Sequence, residues 1–456
     1  MQKQEIRVDF ASQGTPTVQV DTEYRLKNTG NQPLPSLELR LPGRRFHVSD
    51  LAITWDGAAI APVVSPDNPR DSLLQFQSPW AMTASHALHL AFRMEQPSAA
   101  PNGSTLAADA FFLPEGSWSP ELVPSRGLFA FGGVPPNNWN LTVEVPRDFR
   151  VRASGEEKHV SRKPDRIEVH FEQTSKDLYP FVVAGRFADS SLGQGERTIH
   201  LWSRSQPNAQ TLAAASAELA RELDVYDSVL GPRGKQRSPI WIVECPAQSG
   251  CVTGREASFL ELFGGEFGEA NAEMISSNTA VVDIGGESSH LAAIVGPSLA
   301  ASWLGYGRNP GFFEQKPPLS ALPLFAAALG REAVQGPSAR ADMIRRALAQ
   351  VPEKPPSKTE EDPRILRAKS FLFFYALRDR YGPDVFRNAV RHMLSARRGV
   401  GFDLDDFIAA FEQETHENIA VMVRLWMKHP GVPQEFRERY GEASASAAPF
   451  SEEKQP

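Results

Sequence analysis

The chain has 456 residues, which at about 150 residues per domain corresponds to two or three domains with sizeable cores. Its 48 Lys and Arg residues against 55 Asp and Glu residues give a net charge of -7, which excludes a general nucleic-acid binder. The 2 cysteines exclude a disulfide scaffold and any zinc module built on four thiolates.

No uninterrupted apolar run reaches the roughly 18 residues that a membrane span requires. The nearest run, 291–305, is interrupted by Gly296 and Pro297. The first residues contain no apolar stretch that could act as a signal peptide, yet strand-like sequence begins by Ile6, as it would in an exported protein whose leader had been removed. The sequence predicts no membrane span and leaves the compartment open.

The first 190 residues carry the patterning of β-strands. Val18, Val20 and Tyr24 alternate with polar neighbours, as in a strand with one buried face. Similar short runs recur with Pro, Gly and Asn between them, at 37–41, 88–92, 141–145, 167–171 and 181–187. Many short strands without a long helix predict an antiparallel β saddle or sandwich, and we assign 1–190 to this N-terminal β domain.

Composition changes near residue 191, where helical spacing replaces alternation. Apolar positions keep this spacing from 211 to 230, and Gly231-Pro232 ends the helix. Strand-like stretches at 239–244 and 279–284 follow, and then a second helix at about 287–305. Strands and helices together predict an α+β domain over 191–350.

The remainder of the chain is predicted to be helical after a proline-rich loop at 351–363. We expect helices within 364–440, at 365–381, 383–396, 404–414 and 418–428. Asp403 suits an N-cap position and Pro383 suits the first turn of a helix. Residues 441–456 are rich in Ala, Ser, Glu and Pro without periodicity, which predicts a disordered tail.

A direct search for catalytic motifs finds none. His-Glu-x-x-His, Gly-x-Ser-x-Gly and the phosphate-binding glycine loop are all absent. Glu287 and His290, three residues apart at a helix start, could present two ligands on one face. Cys245 and Cys251 flank a short loop, and the sequence is compatible with a disulfide or with two separate thiols.

Several short segments nevertheless follow one another in a recognisable order. They are EGSWSP at 115–120, NLTVEVP at 140–146, YPFVVAG at 179–185, IWIVECP at 240–246, Lys369-Ser370, Trp426 and GVP at 431–433. In this order, over about residues 15–435, they resemble the aminopeptidase N-type zinc peptidases, a gluzincin family. The resemblance implies a β domain followed by a thermolysin-like domain with a helical continuation, and a peptide-binding cleft between the two.

The resemblance also places the family's zinc site on the helix at about 287–305. Family members hold zinc with His-Glu-x-x-His and a glutamate on the next helix, and the motif continues as Gln-Trp-Trp/Phe-Gly. Here 302–305, Ser-Trp-Leu-Gly, fits that continuation. Pro297 and Ala301 then occupy the histidine positions, Ser298 the general-base position and Ser320 the third ligand position. These residues offer no good zinc ligand, so the resemblance implies a degenerate member with no zinc or other cofactor.

Two further positions of the family pattern are also altered. The substrate-binding loop falls at 250–254, beginning with Gly250, and Thr253 replaces the glutamate that grips the substrate's amino terminus. Arg367 stands where the transition-state tyrosine is expected. The resemblance implies a cleft lined by Gly250, Thr253, Ser298, Ala301, Ser320 and Arg367.

These observations predict a pseudoenzyme, a catalytically inactive peptidase-like protein that binds a peptide or protein partner in its former active-site cleft. Two alternatives stay open. One is a hydrolase with a non-standard site that uses Glu287 and His290, and the other is an architectural segment of a larger assembly. Pro297 adds a structural expectation, because a proline inside a helix removes a backbone hydrogen bond. The helix should therefore begin at Pro297 or be kinked there.

Overall fold

The computed structural model describes most of the chain. The described residues are 3–42, 46–64, 71–96, 106–114, 118–123, 138–173, 180–193, 197–232, 239–244, 271–276, 278–283, 291–304, 317–352, 362–396, 402–429 and 431–440. At some positions within these ranges, Pro297, Ser298 and Ala301 among them, the description covers the backbone alone.

The N-terminal part is built from strands, as the alternation predicts. The strands are β1 Lys3–Ala11, β2 Thr17–Lys27, β3 Leu34–Arg40, β4 His47–Trp55, β5 Ala58–Ala59, β6 Val63–Val64, β7 Asp71–Trp80, β8 Ser85–Glu95, β9 Ala110–Leu113, β10 Glu121–Val123, β11 Trp139–Pro146, β12 Arg150–Ala153, β13 Glu156–Arg162, β14 Arg166–Glu172 and β15 Val182–Gly185. Val18, Val20 and Tyr24 are buried on one face of β2, which confirms the one-sided burial expected there.

These strands form three sheets. The largest has eight strands in the order β13-β14-β11-β1-β2-β8-β4-β5, and its pairs are antiparallel except for β1 with β11. A four-stranded sheet has the order β10-β3-β7-β6, and a three-stranded sheet has the order β12-β15-β9. Trp118 and Trp139 are fully buried beneath the large sheet. The predicted β saddle or sandwich is confirmed.

A second part begins with a mixed five-stranded sheet. Its strands are β16 Ala188–Leu192, β17 Ile199–Ser203, β18 Ile240–Glu244, β19 Asn271–Ser276 and β20 Thr279–Asp283, in the order β16-β17-β18-β20-β19. β17, β18 and β20 are parallel, and the two outer strands run antiparallel to them. β16 spans the domain boundary that the sequence places at 190, and the domain limits stay predictions.

Helices make up the rest of the described chain. They are α1 Ala209–Leu230, α2 Leu291–Trp303, α3 Leu322–Gln335, α4 Pro337–Gln350, α5 Pro363–Tyr381, α6 Pro383–Ala396, α7 Leu404–Thr415, α8 Ile419–Lys428 and α9 Gln434–Tyr440. The helices expected at 365–381, 383–396, 404–414 and 418–428 are confirmed within one or two residues at each end. Helices α4 and α9 were not predicted, and α3 was expected only through the resemblance, as the helix of the third ligand position. Taken together, the mixed sheet and the helices confirm the predicted fold class.

Helix α2 is continuous through its proline. It is already helical at Leu291, so the expectation that the helix begins at Pro297 is wrong. Packing explains the difference: Ala292, Val295 and Leu299 are buried in one core with α1 and α3, and this burial outweighs the lost backbone hydrogen bond. Across the described ranges, no helix combines the length and apolar character that crossing a bilayer demands.

Candidate functional site

Helix α2 lies at the centre of the second part of the molecule. It packs on one side against the neighbouring strands β19 and β20 and on the other against α1 and α3. Because 297, 298 and 301 are one and four residues apart, the backbone places them on one side of this helix. The positions that the resemblance assigns to the first two zinc ligands and the general base therefore share a helix face.

The remaining expected cleft residues fall on different elements. Ser320 lies in a single 3₁₀ turn, Leu319–Ala321, directly before α3, and is half-buried. Arg367 lies on α5 and is also half-buried. Gly250 and Thr253 lie outside the described residues, as do the alternative pair Glu287 and His290, the two cysteines and the tail 441–456.

Lys369, two residues after Arg367, anchors the end of α8 to α5. Its Nζ donates hydrogen bonds to the carbonyl oxygens of Met427 at 3.0 Å and His429 at 2.5 Å. The indole of Trp426 in turn donates to the carbonyl of Lys369 at 3.0 Å. A cation at the carbonyl end of a helix is stabilised by the helix dipole, so this lysine has a structural role.

Behind α2, helix α1 carries a buried pair of polar side chains. The hydroxyl oxygen of Tyr226 lies 2.9 Å from Oε2 of Glu222 and 3.1 Å from the carbonyl oxygen of Gly296 in α2. Both side chains are buried, and Glu222 is 4% exposed. Burial raises the pKa of Glu222 to about 8, against the lowering effects of the Tyr226 hydrogen bond and the Arg331 charge. Burial also raises the pKa of Tyr226.

Two glycines make room for this pair. A Cβ at Gly296 would lie 2.9 Å from Oε2 of Glu222, and a Cβ at Gly330 of α3 would lie 3.1 Å from Cε1 of Tyr226. Both α2 and α3 therefore have a glycine, the residue without a side chain, where they contact Glu222 and Tyr226. No motif in the sequence predicts this arrangement, although Glu222 stands beside Leu223 on the apolar face of α1, and a glutamate at such a position is the available signal.

The end of α2 is tied to α1 by a second contact. Nε1 of Trp303 donates to Oδ1 of Asp227 at 3.0 Å, and its ring meets Tyr226 edge-on at 5.7 Å between centroids. Asp227 also accepts from Nη2 of Arg197 at 2.7 Å. The tryptophan that anchored the sequence resemblance therefore has a packing role.

Solved structures of M1 zinc metallopeptidases, the aminopeptidase N-type family, share this architecture. A mutant from Deinococcus radiodurans has a TM-score of 0.60 and 16% identity, over 95% of this chain and 95% of that chain. A mutant from the same organism bound to a Tyr-Ser-Ala substrate has a TM-score of 0.60 and 16% identity, over 95% and 94%. A two-domain mutant bound to L-arginine has a TM-score of 0.59 and 15% identity, again over 95% and 94%. The chain has the M1 zinc metallopeptidase fold.

This likeness confirms the resemblance at the level of the fold over nearly the whole chain. No protein-family model matches the sequence, and no curated protein matches it either.

The side chains at the zinc positions that the sequence assigns to this M1 fold do not fit a zinc ion. Proline and alanine, at 297 and 301, have no side-chain atom that can donate to a metal, and the hydroxyl of Ser320 is a poor zinc ligand. Among the residues that the structure describes, no three His, Cys, Asp or Glu side chains are grouped as a metal site would require.

The M1 fold of this chain also contains a cavity of about 400 Å³ away from these positions. Val225 and Val229 of α1, Leu329 of α3 and Phe386 of α6 supply its apolar wall. An ion pair, Glu332 with Arg378 at 3.1 Å, supplies a polar wall. The described residues that line this cavity do not include Ser320 or Arg367.

Proposed function

We propose that this protein is a catalytically inactive relative of the M1 peptidases that binds a peptide or protein segment in the former active-site cleft. The observation that carries the proposal is the sequence of α2. The helix spans Leu291–Trp303 and keeps its place in the fold, yet it presents Pro297, Ser298 and Ala301 where the family has two histidines and a glutamate. A peptidase of this kind needs those groups to bind zinc and to activate water.

The contacts around α2 support the proposal that this protein has lost the catalytic residues and kept the fold. The Gly296 carbonyl accepts from Tyr226, and Trp303 donates to Asp227, so α2 is fixed at its middle and at its end. These contacts fix the position of α2 relative to α1, which is compatible with a binding role for the proposed cleft.

The sheet edge beside α2 supports an extended peptide as the ligand. β19 is the outer strand of the five-stranded sheet and packs against α2. Among the described strands, β19 pairs with β20, and no other described strand lies at its opposite edge. An extended peptide binds such an edge through main-chain hydrogen bonds. Structures with this fold hold a Tyr-Ser-Ala substrate, L-arginine or L-tryptophan.

Metal analysis and turnover test the inactive part of the proposal. We expect the purified protein, incubated with zinc and dialysed, to retain no stoichiometric zinc and to release no dye from a panel of aminoacyl-coumarin substrates. The matched control is the rebuilt variant P297H/S298E/A301H/S320E, which should retain zinc if the assigned register is right. Stoichiometric zinc or turnover in the wild-type protein would contradict the proposal.

Peptide binding tests the other part. We expect a pool of random-sequence fluorescent peptides to contain binders, and a selected binder to protect the amides of β19 from hydrogen exchange. Arg367→Glu should weaken binding, whereas Arg345→Glu, an exposed arginine on α4 that pairs only locally with Asp342, should not. N-methylation of the selected peptide's backbone should abolish binding. Binding that survives N-methylation would argue against pairing with the sheet edge, and no binders at all would favour the architectural alternative.

A further inference from the structure

At the contact between α1 and α2, one hydroxyl hydrogen faces two acceptor oxygens. The Tyr226 hydroxyl has a single hydrogen, but two acceptor oxygens lie within hydrogen-bond distance, Oε2 of Glu222 at 2.9 Å and the Gly296 carbonyl at 3.1 Å. A carboxylate and a carbonyl are both acceptors only. With Glu222 ionised, the Tyr226 hydroxyl can donate to only one of them, and donation to the carboxylate leaves the Gly296 carbonyl with its helix hydrogen bond alone.

A proton on Glu222 satisfies every group in this contact. The carboxylic acid then donates to the Tyr226 oxygen, and the Tyr226 hydroxyl donates to the Gly296 carbonyl. The surroundings favour the neutral acid, since Leu219 and Leu223 are buried beside it on α1 and Gly330 of α3 closes on its side-chain stem at 3.2 Å.

The charged and titratable groups that face Glu222 come from α1 and α3. On α1 these are Glu218, whose charge disfavours ionisation, and Tyr226. On α3 it is Arg331, whose charge favours ionisation. From α2, the described part that faces Glu222 is the backbone of Gly296. Burial outweighs the arginine, and the pKa of Glu222 rises to about 8.

Tyr226 contacts α2 at Gly296, directly before the proline that interrupts the helix hydrogen bonding. Pro297 has no backbone N–H, so it makes no helix hydrogen bond to the carbonyl of residue 293. Gly296 adds the backbone freedom of a residue without a side chain. A hydroxyl that donates to the Gly296 carbonyl therefore ties α1 to α2 directly before the residue that lacks a helix hydrogen bond.

We propose that a proton held by Glu222 locks α2 to α1 through Tyr226, and that loss of this proton to solvent base under mildly alkaline conditions loosens α2. On ionisation, the Tyr226 hydroxyl turns to the new carboxylate and leaves the Gly296 carbonyl without this donor. The helix that carries the former active-site positions thus becomes responsive to pH. The proposal is independent of what the cleft binds, because it concerns the scaffold behind the cleft.

Hydrogen–deuterium exchange of the full-length protein tests the lock. After correction for intrinsic exchange rates, we expect protection of the amides of 291–303 to fall about tenfold as the pH rises through about 8. Glu222→Gln should abolish this pH dependence while keeping protection, because its amide can donate to Tyr226 at any pH. Tyr226→Phe should lower protection at every pH. A wild-type profile identical to that of Glu222→Gln would overturn the proposal, whereas a merely structural role for the pair predicts no pH dependence.

Infrared spectroscopy supplies a second test, and its deciding measurement is made on the wild-type protein. Solvent-exposed carboxyl groups are ionised at neutral pH, so a carboxylic-acid C=O band at neutral pH reports a buried neutral acid. We expect such a band, its loss as the pH rises through about 8, and its absence in Glu222→Gln. Absence of the band from the wild-type protein at neutral pH would overturn the assignment of a proton to Glu222.

Discussion

A carboxyl group that lies against Leu219, Leu223 and Tyr226 has few ways to offset the cost of its charge. Arg331 favours ionisation of Glu222, but burial in the core between α1, α2 and α3 is the larger effect and raises the pKa to about 8. The unperturbed value is 4.5, so between these two pH values the folded chain binds a proton that the unfolded chain has released. The free energy of unfolding therefore falls as the pH rises through this window and changes no further, through this group, above it.

Glu222→Gln should remove this pH dependence. We expect the variant to gain up to about 5 kcal/mol relative to wild type as the pH is raised from below the unfolded pKa to above about 8, since the two pKa values differ by about 3.5 and one pKa unit corresponds to about 1.4 kcal/mol. Urea unfolding at a series of pH values measures the difference. Glu414→Gln on α7, a half-buried glutamate outside this contact, is the control. A stability difference between Glu222→Gln and wild type that is constant with pH would contradict the argument.

Gly330→Ala should destabilise the protein although alanine is the better helix former. Alanine gains about 1 kcal/mol in helix propensity. Its Cβ would lie 3.1 Å from Cε1 of Tyr226 and 3.2 Å from Cγ of Glu222, and both groups are buried and unable to move away freely. We expect a net loss of roughly 1–2 kcal/mol in denaturant unfolding. The same substitution in a Glu222→Ala background should cost less, and an equal cost in both backgrounds would show that the contact is not responsible.

At the scale of single elements, Lys369 shows how one helix holds the end of another. It is 5% exposed, and its ammonium group donates to the last carbonyl oxygens of α8, where the helix dipole is negative. A buried cation with these partners is well satisfied. Removing it leaves two carbonyl groups without their donor.

We expect Lys369→Met to lower the free energy of unfolding by roughly 2–4 kcal/mol, because two charge-assisted hydrogen bonds are lost inside the protein. Lys428→Met, at the exposed last turn of α8, should change it by less than about 0.5 kcal/mol. Thermal unfolding followed by circular dichroism gives both values. Similar losses in the two variants would refute a specific role for Lys369.

Local signals in the sequence predicted some elements and missed others for physical reasons. Asp403 was expected to cap a helix, and it does so in a capping box with Asp406. Helix α3 was expected only through the resemblance, because it is buried on all sides over 322–330 and so lacks the polar face that produces helical periodicity. A start of α2 at Pro297, one of the two outcomes expected of this proline, did not occur because tertiary packing outweighs a local helix breaker.

The site was predictable only where it depends on side-chain chemistry at known positions. The loss of ligand atoms at 297 and 301 can be read from the sequence once the register of α2 is assumed. The contact of Glu222 and Tyr226 with Gly296 requires two helices to cross at that point, and no local pattern encodes the crossing. The burial of Glu222 on an apolar helix face was the available hint.

At the scale of the whole molecule, an aromatic layer joins the β domain to the five-stranded sheet. Phe112 and Phe181 on one side pack with Trp202 and Val281 on the other in one buried cluster. Arg152 of β12 crosses this boundary. Its guanidinium lies 5.2 Å from the ring centroid of Trp241, and it donates to Thr279 Oγ1 at 3.3 Å and to Asn278 Oδ1 at 3.2 Å.

We expect Arg152→Ala to weaken the coupling between the two parts by roughly 1–2 kcal/mol, since a cation–π contact and two hydrogen bonds are lost together. Differential scanning calorimetry should show a lower and broader transition, with the two parts unfolding less cooperatively. Arg147→Ala is the matched control, because the described side-chain hydrogen bond of Arg147 is to the Pro164 carbonyl, within the β domain. An equal effect of the two substitutions would contradict a coupling role.

Asp227, near the end of α1, accepts hydrogen bonds from three different segments of the chain. Its side chain accepts from Trp303 and Arg197, and its carbonyl accepts from Arg391 of α6. A displacement of any one of these segments would therefore act on the other two through Asp227. A force on the last turn of α2 would therefore also act, through Asp227, on the chain leading into β17, which carries Trp202 of the aromatic layer.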